Sequence, residues 1–178
     1  MGTVLILGVA FAQTVKVNRN SGHAENLNKV HPGMAIKSQD RMFFKEAVET
    51  NQLEIKLGQI AQRNGGSTWA REFGKTMVMD HTEGWNELKV IGGKLRLPVS
   101  KNLSGESQSK IAHMSRLHGS AFDAAYRKGM IDGHGHFSMA LEREIKNGNN
   151  SLIRNYAITA APVVKLHMKM AMRKVTKI

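Results

Sequence analysis

Four ionisable residues have side chains that bind transition metals, and each falls in a different helical segment of the sequence: Glu54, His81, His134 and His167. Neutral imidazole is a common ligand of transition metals, and a buried carboxylate needs a partner. Three histidines and one glutamate that meet in a core therefore predict a site for one divalent transition metal, which could be Zn, Mn, Fe or Cu. The residues leave an alternative open, a metal-free polar network in which Glu54 pairs with a protonated histidine.

All four residues lie on the apolar stripes of their segments. A period near 3.6 places positions three and four apart on one face of a helix, so the four side chains are expected to point inward. The stripes are Phe44, Ala47, Asn51, Glu54, Gly58 and Ala61; Phe73, Met77, His81, Gly84, Leu88 and Ile91; Met130, His134, Phe137, Leu141 and Ile145; and Ile153, Ala157, Ala160, Val164, His167 and Ala171.

Start and stop signals divide the domain at 38–176 into four long helices, predicted at 38–63, 67–92, 120–147 and 150–174. Ser120 and Asp123 have the spacing of a capping box at the start of the third helix. The connection before that helix contains roughly twenty-five residues, enough to cross the length of a bundle, and includes a short helical piece at 107–117. We predict an all-α fold, a ferritin-like four-helix bundle whose long crossover carries a short extra helix.

This topology brings the four ionisable residues to a similar depth. If the crossover puts the two hairpin turns at opposite ends of the bundle, the residues lie within about 10 Å along its axis. They are then expected to form one polar layer.

The composition is strongly basic and lacks cysteine. The 26 Lys and Arg outnumber the 14 Asp and Glu, giving a net charge of +12 that favours polyanionic partners. Anionic envelope components are the expected partners, because export argues against DNA and the sequence lacks nucleic-acid motifs and basic residues interleaved with aromatic ones. The basic residues near the end of the chain are Lys165, Lys169, Arg173, Lys174 and Lys177. The alternative function is therefore a polyanion-binding envelope module whose buried polar network is purely structural.

The N-terminal sequence indicates export. Residues 1–12, MGTVLILGVAFA, form an apolar run that ends in the small-x-small pattern of a signal-peptidase site. Residues 13–37 are polar and aperiodic, so we interpret them as a flexible linker. No segment has the roughly 18 to 20 uninterrupted apolar residues of a membrane helix. A periplasmic or envelope-associated location is expected.

Several segments of the chain resemble the bacterial domain-of-unknown-function 4142 family. They are FFKEAVETNQLEIKLGQIA, FGKTMVMDHTEGWNELK, FDAAYRKGMIDGH, LEREIKNG and APVVKLH, within 39–173. The resemblance implies an exported ferritin-like helical domain and supplies no reaction. The family's recurrent positions correspond here to Glu54, Asp80, His81, Phe122, Asp123, Tyr126, His134, Pro162 and His167.

Two observations argue against an enzyme. The chain has no Glu-x-x-His motif, which di-iron bundles use in pairs, so ferroxidase chemistry is not expected. No separate general base stands at a defined spacing from the four residues. If the protein is an enzyme, it would be a mononuclear metal hydrolase or oxidase with an open coordination position for water.

Overall fold

The computed structural model describes residues 36–173. The predicted signal peptide at 1–12 and nearly all of the linker at 13–37 lie outside this range. The described residues form five α-helices and no strand: α1 Ser38–Asn64, α2 Thr68–Leu95, α3 Gly105–Arg116, α4 Gly119–Asn147 and α5 Ser151–Met172. The all-α prediction is confirmed. Among these five helices, none has the length and apolar content needed to cross a bilayer.

The long helices form two hairpins. A short turn joins α1 to α2, and a Cβ atom on Gly58 would lie 2.6 Å from the carbonyl oxygen of Gly74, so the two backbones touch there. A second short turn joins α4 to α5, and α3 lies in the connection between the hairpins. The finer prediction, that the long helices form a ferritin-like bundle, stays a prediction.

Local signals fix most helix ends as expected. The Ser67 hydroxyl accepts the N–H of Ala70 at the start of α2. Asn150 caps α5 by accepting the N–H groups of Leu152 and Ile153. These side chains satisfy N–H groups that have no partner within a helix, which explains why the helices begin there.

Two predicted boundaries are wrong. Helix α2 does not stop at its glycine pair but continues to Leu95. A Cβ on Gly92 would lie 2.6 Å from the Cγ2 atom of Val99, so this glycine permits close packing of the returning chain rather than ending the helix. The C-terminal helix ends at Met172, before the predicted end at 174.

The predicted capping box at the third long helix is also wrong. The N-cap position of α4 is His118, whose side chain makes no capping hydrogen bond, and the helix begins at Gly119. The Asp123 carboxylate instead accepts the N–H groups of Gly66 and Ser67, at 3.0 and 2.8 Å. It therefore fastens α4 to the turn between α1 and α2, whose N–H groups lack helical partners.

A second carboxylate, on Asp40, fastens the opposite hairpin. Its Oδ1 atom accepts the N–H groups of Asn149 and Asn150, in the turn between α4 and α5, and its Oδ2 atom accepts the N–H of Lys37. The buried carboxyl group of Glu144 hydrogen-bonds to Asp40. The start of α1 is therefore held against the end of α4.

Two hydrophobic clusters fill the core. The first includes Phe43, Phe44, Leu88, Phe137 and Ile153, and the second includes Phe73, Met77, Phe122, Tyr126 and Met130. The predicted inward stripes are buried, except that Ile145 and Ala160 are half-buried. Along each long helix, the ionisable stripe residue stands between members of the two clusters. The four residues are all buried: Glu54, His81, His134 and His167.

Candidate metal centre

Three histidines from three helices meet in the core. His81 comes from α2, His134 from α4 and His167 from α5, and one nitrogen from each ring lies within 4.8 Å of the other two. All three side chains are buried. The stripe positions explain this convergence. Each histidine lies among the apolar residues of the helix face that points toward the other helices.

The His134 ring is oriented by its own helix. Its Nδ1 atom lies 2.9 Å from the carbonyl oxygen of Met130, one turn earlier. A carbonyl oxygen only accepts hydrogen bonds, so Nδ1 carries the proton and, in the neutral ring, Nε2 carries a lone pair. That Nε2 atom lies 3.3 Å from the Nδ1 atom of His167.

The His167 ring is oriented by a carboxylate from another helix. Its Nε2 atom donates to the Oδ2 atom of Asp80 over 2.9 Å. Because the carboxylate only accepts, the neutral His167 ring keeps its proton on Nε2 and has a lone pair on Nδ1. The side chain of Asp80 is 23% exposed, whereas that of His167 is fully buried.

The His81 ring is oriented by an amide. Its Nδ1 atom lies 3.0 Å from the Oδ1 atom of Asn51. The amide nitrogen of Asn51 donates to the Ala47 carbonyl at 2.7 Å and to the Tyr156 hydroxyl at 2.8 Å, which fixes the amide orientation. The Nδ1 atom of His81 is therefore the donor. Its Nε2 atom is buried and has no hydrogen-bond partner among the described residues.

In their neutral forms, the three rings would present one lone pair each. Every outer nitrogen donates to a fixed acceptor, and the remaining nitrogens are His81 Nε2, His134 Nε2 and His167 Nδ1. Ligand nitrogens on one tetrahedral zinc ion are about 3.3 Å apart, given Zn–N bonds of about 2.0 to 2.1 Å. The His134 to His167 distance of 3.3 Å matches this spacing.

Burial keeps two of the rings in the ligand form. It lowers the pKa of His81 well below its ordinary value, and the nearby His167 and His134 rings lower it further. Burial and the His167 ring lower the pKa of His134 to about 3. Both rings are therefore neutral at pH 7, and neutral imidazole is the form that binds metal.

Glu54 reaches the same level of the core but does not join the group of three. Its Oε1 atom lies 3.8 Å from where a Cβ atom on Gly133 would stand, beside His134. Its carboxylate oxygens are outside the set of donor atoms that lie within 4.8 Å of one another. The Oε2 atom is buried and lacks a hydrogen-bond partner within residues 36–173. Burial raises the pKa of Glu54 to about 8.

Comparison with known protein families gives a family without an assigned activity. The sequence model described as "Domain of unknown function (DUF4142)" matches residues 26–173, which is most of the chain. The chain belongs to the DUF4142 family. Searches of curated proteins and of solved structures found no match. The family prediction is confirmed, and the chemistry of this DUF4142 protein has to be argued from the site itself.

Sequence reasoning missed two residues that position the histidines. Asp80 falls beside the apolar stripe of α2, and its place among the recurrent DUF4142 positions was the only signal for it. Asn51 lies on the inward stripe of α1 one turn before Glu54, and a polar residue at such a position needs a buried partner. That requirement was a signal for the contact with His81.

Proposed function

We propose that this protein is exported to the cell envelope and binds one divalent transition metal through His81, His134 and His167. The observation that carries the proposal is the convergence of one nitrogen from each of three rings, on rings whose other nitrogen contacts an acceptor. Histidines that bind metals commonly donate their second N–H to a carboxylate, a carbonyl or water, which fixes the ring and raises its basicity.

A metal-free network accounts for the contacts less well. Two lone pairs that face each other over 3.3 Å, on His134 and His167, repel unless a proton or a cation lies between them. A shared proton would satisfy that pair, but the Nε2 atom of His81 would still need a partner that no side chain of the described residues supplies. A single metal ion would satisfy all three nitrogens.

Glu54 is the proposed source of compensating charge and of a fourth ligand atom. A divalent ion in a core needs negative charge nearby, since desolvation of an uncompensated ion is costly. The Asp80 carboxylate contributes one negative charge, because it accepts a hydrogen bond from the His167 ring. Glu54 lies at the same depth in the core and has an oxygen without a hydrogen-bond partner among the described residues.

The donor atoms favour borderline metals. Imidazole nitrogens suit Zn, Cu and Fe, whereas Ca and Mg prefer six or more oxygen ligands. The whole chain lacks cysteine, so thiolate ligation does not contribute. We restrict the proposal to binding, because the donor set by itself assigns no reaction.

Metal stoichiometry in protein prepared without a histidine tag tests the proposal. Equilibrium dialysis against Zn(II), followed by elemental analysis, should give one ion per chain. The stoichiometry should fall to zero in His81→Ala, His134→Ala and His167→Ala. His136→Ala is the matched control, because His136 is exposed and close in sequence. The proposal would be refuted if the wild-type protein held no stoichiometric metal. It would also be refuted if the three histidine variants bound as much Zn(II) as His136→Ala.

A second candidate function rests on the outer face of α5. Lys165, Lys169 and Arg173 recur every four residues and are all exposed, which makes a basic stripe suited to anionic envelope components. Wild-type protein should bind vesicles that contain anionic lipid, and the binding should weaken steeply with salt. Lys165→Glu with Lys169→Glu should lower this binding more than Lys94→Glu, a change at an exposed lysine on α2. Binding that is equal for all three proteins contradicts this candidate.

A further inference from the structure

A small cavity lies beside His81 and His167, between α2 and α5. Its volume is about 20 Å³, which is room for one water molecule. The buried side of the cavity includes His81, His167 and Asn51, and its partly exposed side includes Asp80 and Val163. The cavity therefore leads from the solvent toward the site.

Buried side chains bound the site in the other directions. Along the helix axes, the two hydrophobic clusters fill the core on either side of the site. Toward α1 stand the buried side chains of Asn51 and Glu54, and toward α4 stands the buried His134. An ion that crossed an apolar cluster would lose its water without gaining ligands, at a large cost in free energy.

Two carboxylates line the cavity where it approaches the solvent. The partly exposed carboxylate of Asp80 is in reach of solvent and 2.9 Å from the Nε2 atom of His167. Glu87, two turns later on α2, also lines the cavity. In a chain with a net charge of +12, these groups provide local negative potential where an approaching cation would otherwise be repelled.

We propose that the metal ion reaches the three histidines through this opening between α2 and α5, with Asp80 as the first protein group to bind it. The proposal rests on the metal site proposed above and adds how that site exchanges metal. Because the cavity holds one water, a hydrated divalent ion has to shed most of its shell, and protein oxygens at the cavity wall replace part of it. Loading is therefore slower than diffusion and depends on the width of this opening.

Filling the cavity tests the route. Ala160 lines the cavity, whereas the neighbouring Ala161 does not. The rates of Co(II) loading and of its removal by a chelator can be followed by the visible absorbance of the bound ion. In Ala160→Leu both rates should fall about ten-fold, because the added methyl groups fill the passage in a close-packed interior. Ala161→Leu is the control, and equal rates in the two variants overturn the proposal.

A charge change at the mouth keeps the proposal testable if Ala160→Leu fails to fold. Glu87→Gln should lower the Co(II) loading rate about three-fold at low ionic strength and much less at high salt. Glu142→Gln changes the same charge at an exposed position of α4 and should load like wild type. Equal loading of both variants contradicts the route. A wild-type protein that binds no Co(II) or Zn(II) at equilibrium would instead refute the metal site itself.

Discussion

The Nδ1 atom of His167 lies 3.3 Å from the Nε2 atom of His134, and when both rings are neutral their outer contacts leave these two atoms as acceptors. Two acceptors at this distance need something positive between them. This arrangement is a consequence of Asp80 and the Met130 carbonyl, which accept from the outer nitrogens of the two rings. The same contacts orient the two inner nitrogens so that a proton or a metal ion between them would bind to both.

Replacing Asp80 should weaken metal binding without unfolding the protein. Asp80→Asn keeps an acceptor for the Nε2 atom of His167 but removes the negative charge that raises the basicity of the ring. We expect the affinity for Zn(II) to fall about 10- to 100-fold, as for other outer partners of metal-binding histidines. Competition with a chromophoric chelator measures this. Asp132→Asn, at an exposed Asp paired with Lys128, should keep wild-type affinity, and an equal loss there would contradict the specific role of Asp80.

Replacing Gly84 should disturb the partner of His81. A Cβ atom on Gly84 would lie 2.6 Å from the Oδ1 atom of Asn51 and 3.2 Å from the hydroxyl oxygen of Tyr156. In Gly84→Ala the amide has to move, so the proton on the Nδ1 atom of His81 loses its acceptor. We expect about a ten-fold loss of Zn(II) affinity, typical of an outer partner, which isothermal titration can measure.

The matched control for this change is Gly93→Ala on the same helix. A Cβ atom there would meet nothing within 4 Å. Gly93→Ala should keep wild-type affinity and raise the free energy of unfolding by about 0.5 to 1 kcal/mol, the helix preference for alanine. If both variants lose affinity equally, the contact between Asn51 and His81 is not what matters.

Replacing Glu54 should change the affinity for metal without changing the number of ions bound, which distinguishes its proposed role from that of the histidines. Glu54→Gln retains size and polarity but cannot supply negative charge. We expect about a ten-fold loss of Zn(II) affinity, with the one-to-one stoichiometry kept by the three histidines. Glu46→Gln on the same helix is the control, because Glu46 is outside the buried set. An unchanged affinity in Glu54→Gln would remove Glu54 from the site and leave the histidines in place.

The stability of the metal-free protein should depend on pH through Glu144. Burial and the hydrogen bond to Asp40 raise the pKa of Glu144 to about 7 from its ordinary 4.5. A raised pKa in the folded state means that the stabilisation is fully present below about pH 4.5 and is lost as the pH rises through about 7. Because the pocket beside Glu144 admits water, we expect a loss of about 1 to 2 kcal/mol in the free energy of unfolding.

Urea denaturation at pH 5 and pH 8 measures this loss. Glu144→Gln should make the difference between the two pH values smaller, since the amide does not ionise in this range. Glu142→Gln, two residues away and exposed, should leave the difference unchanged. An identical pH dependence in wild type and Glu144→Gln would refute the assignment. Burial also raises the pKa of Glu54 to about 8, so that residue adds a loss of the same sign.

The inward-facing histidines could be predicted because helical periodicity acts over one or two turns. The apolar residues around His81 on α2 define a face by themselves, and the same holds for His134 and His167. The start of α5 at Asn150 could be predicted for the same reason, since a cap bonds to N–H groups only two or three residues away.

The contacts that could not be predicted from the sequence are those between residues far apart along the chain. Asp123 has the spacing of a local capping residue, yet it bonds to N–H groups 57 and 56 residues away because the fold brings that turn beside it. Asp80 is separated from His167 by 87 residues. Which of several available acceptors a side chain chooses depends on the tertiary arrangement, and periodicity carries no information about it.

Because the three histidines stand on three separate helices, a bound ion would also act as a cross-link. His134 and His167 alone are 33 residues apart, so joining them through one ion closes a long loop of the unfolded chain. A chain without cysteine has no disulfide to reduce its unfolded-state entropy in this way. The free energy of unfolding of the chain would then rise with the concentration of the metal it binds.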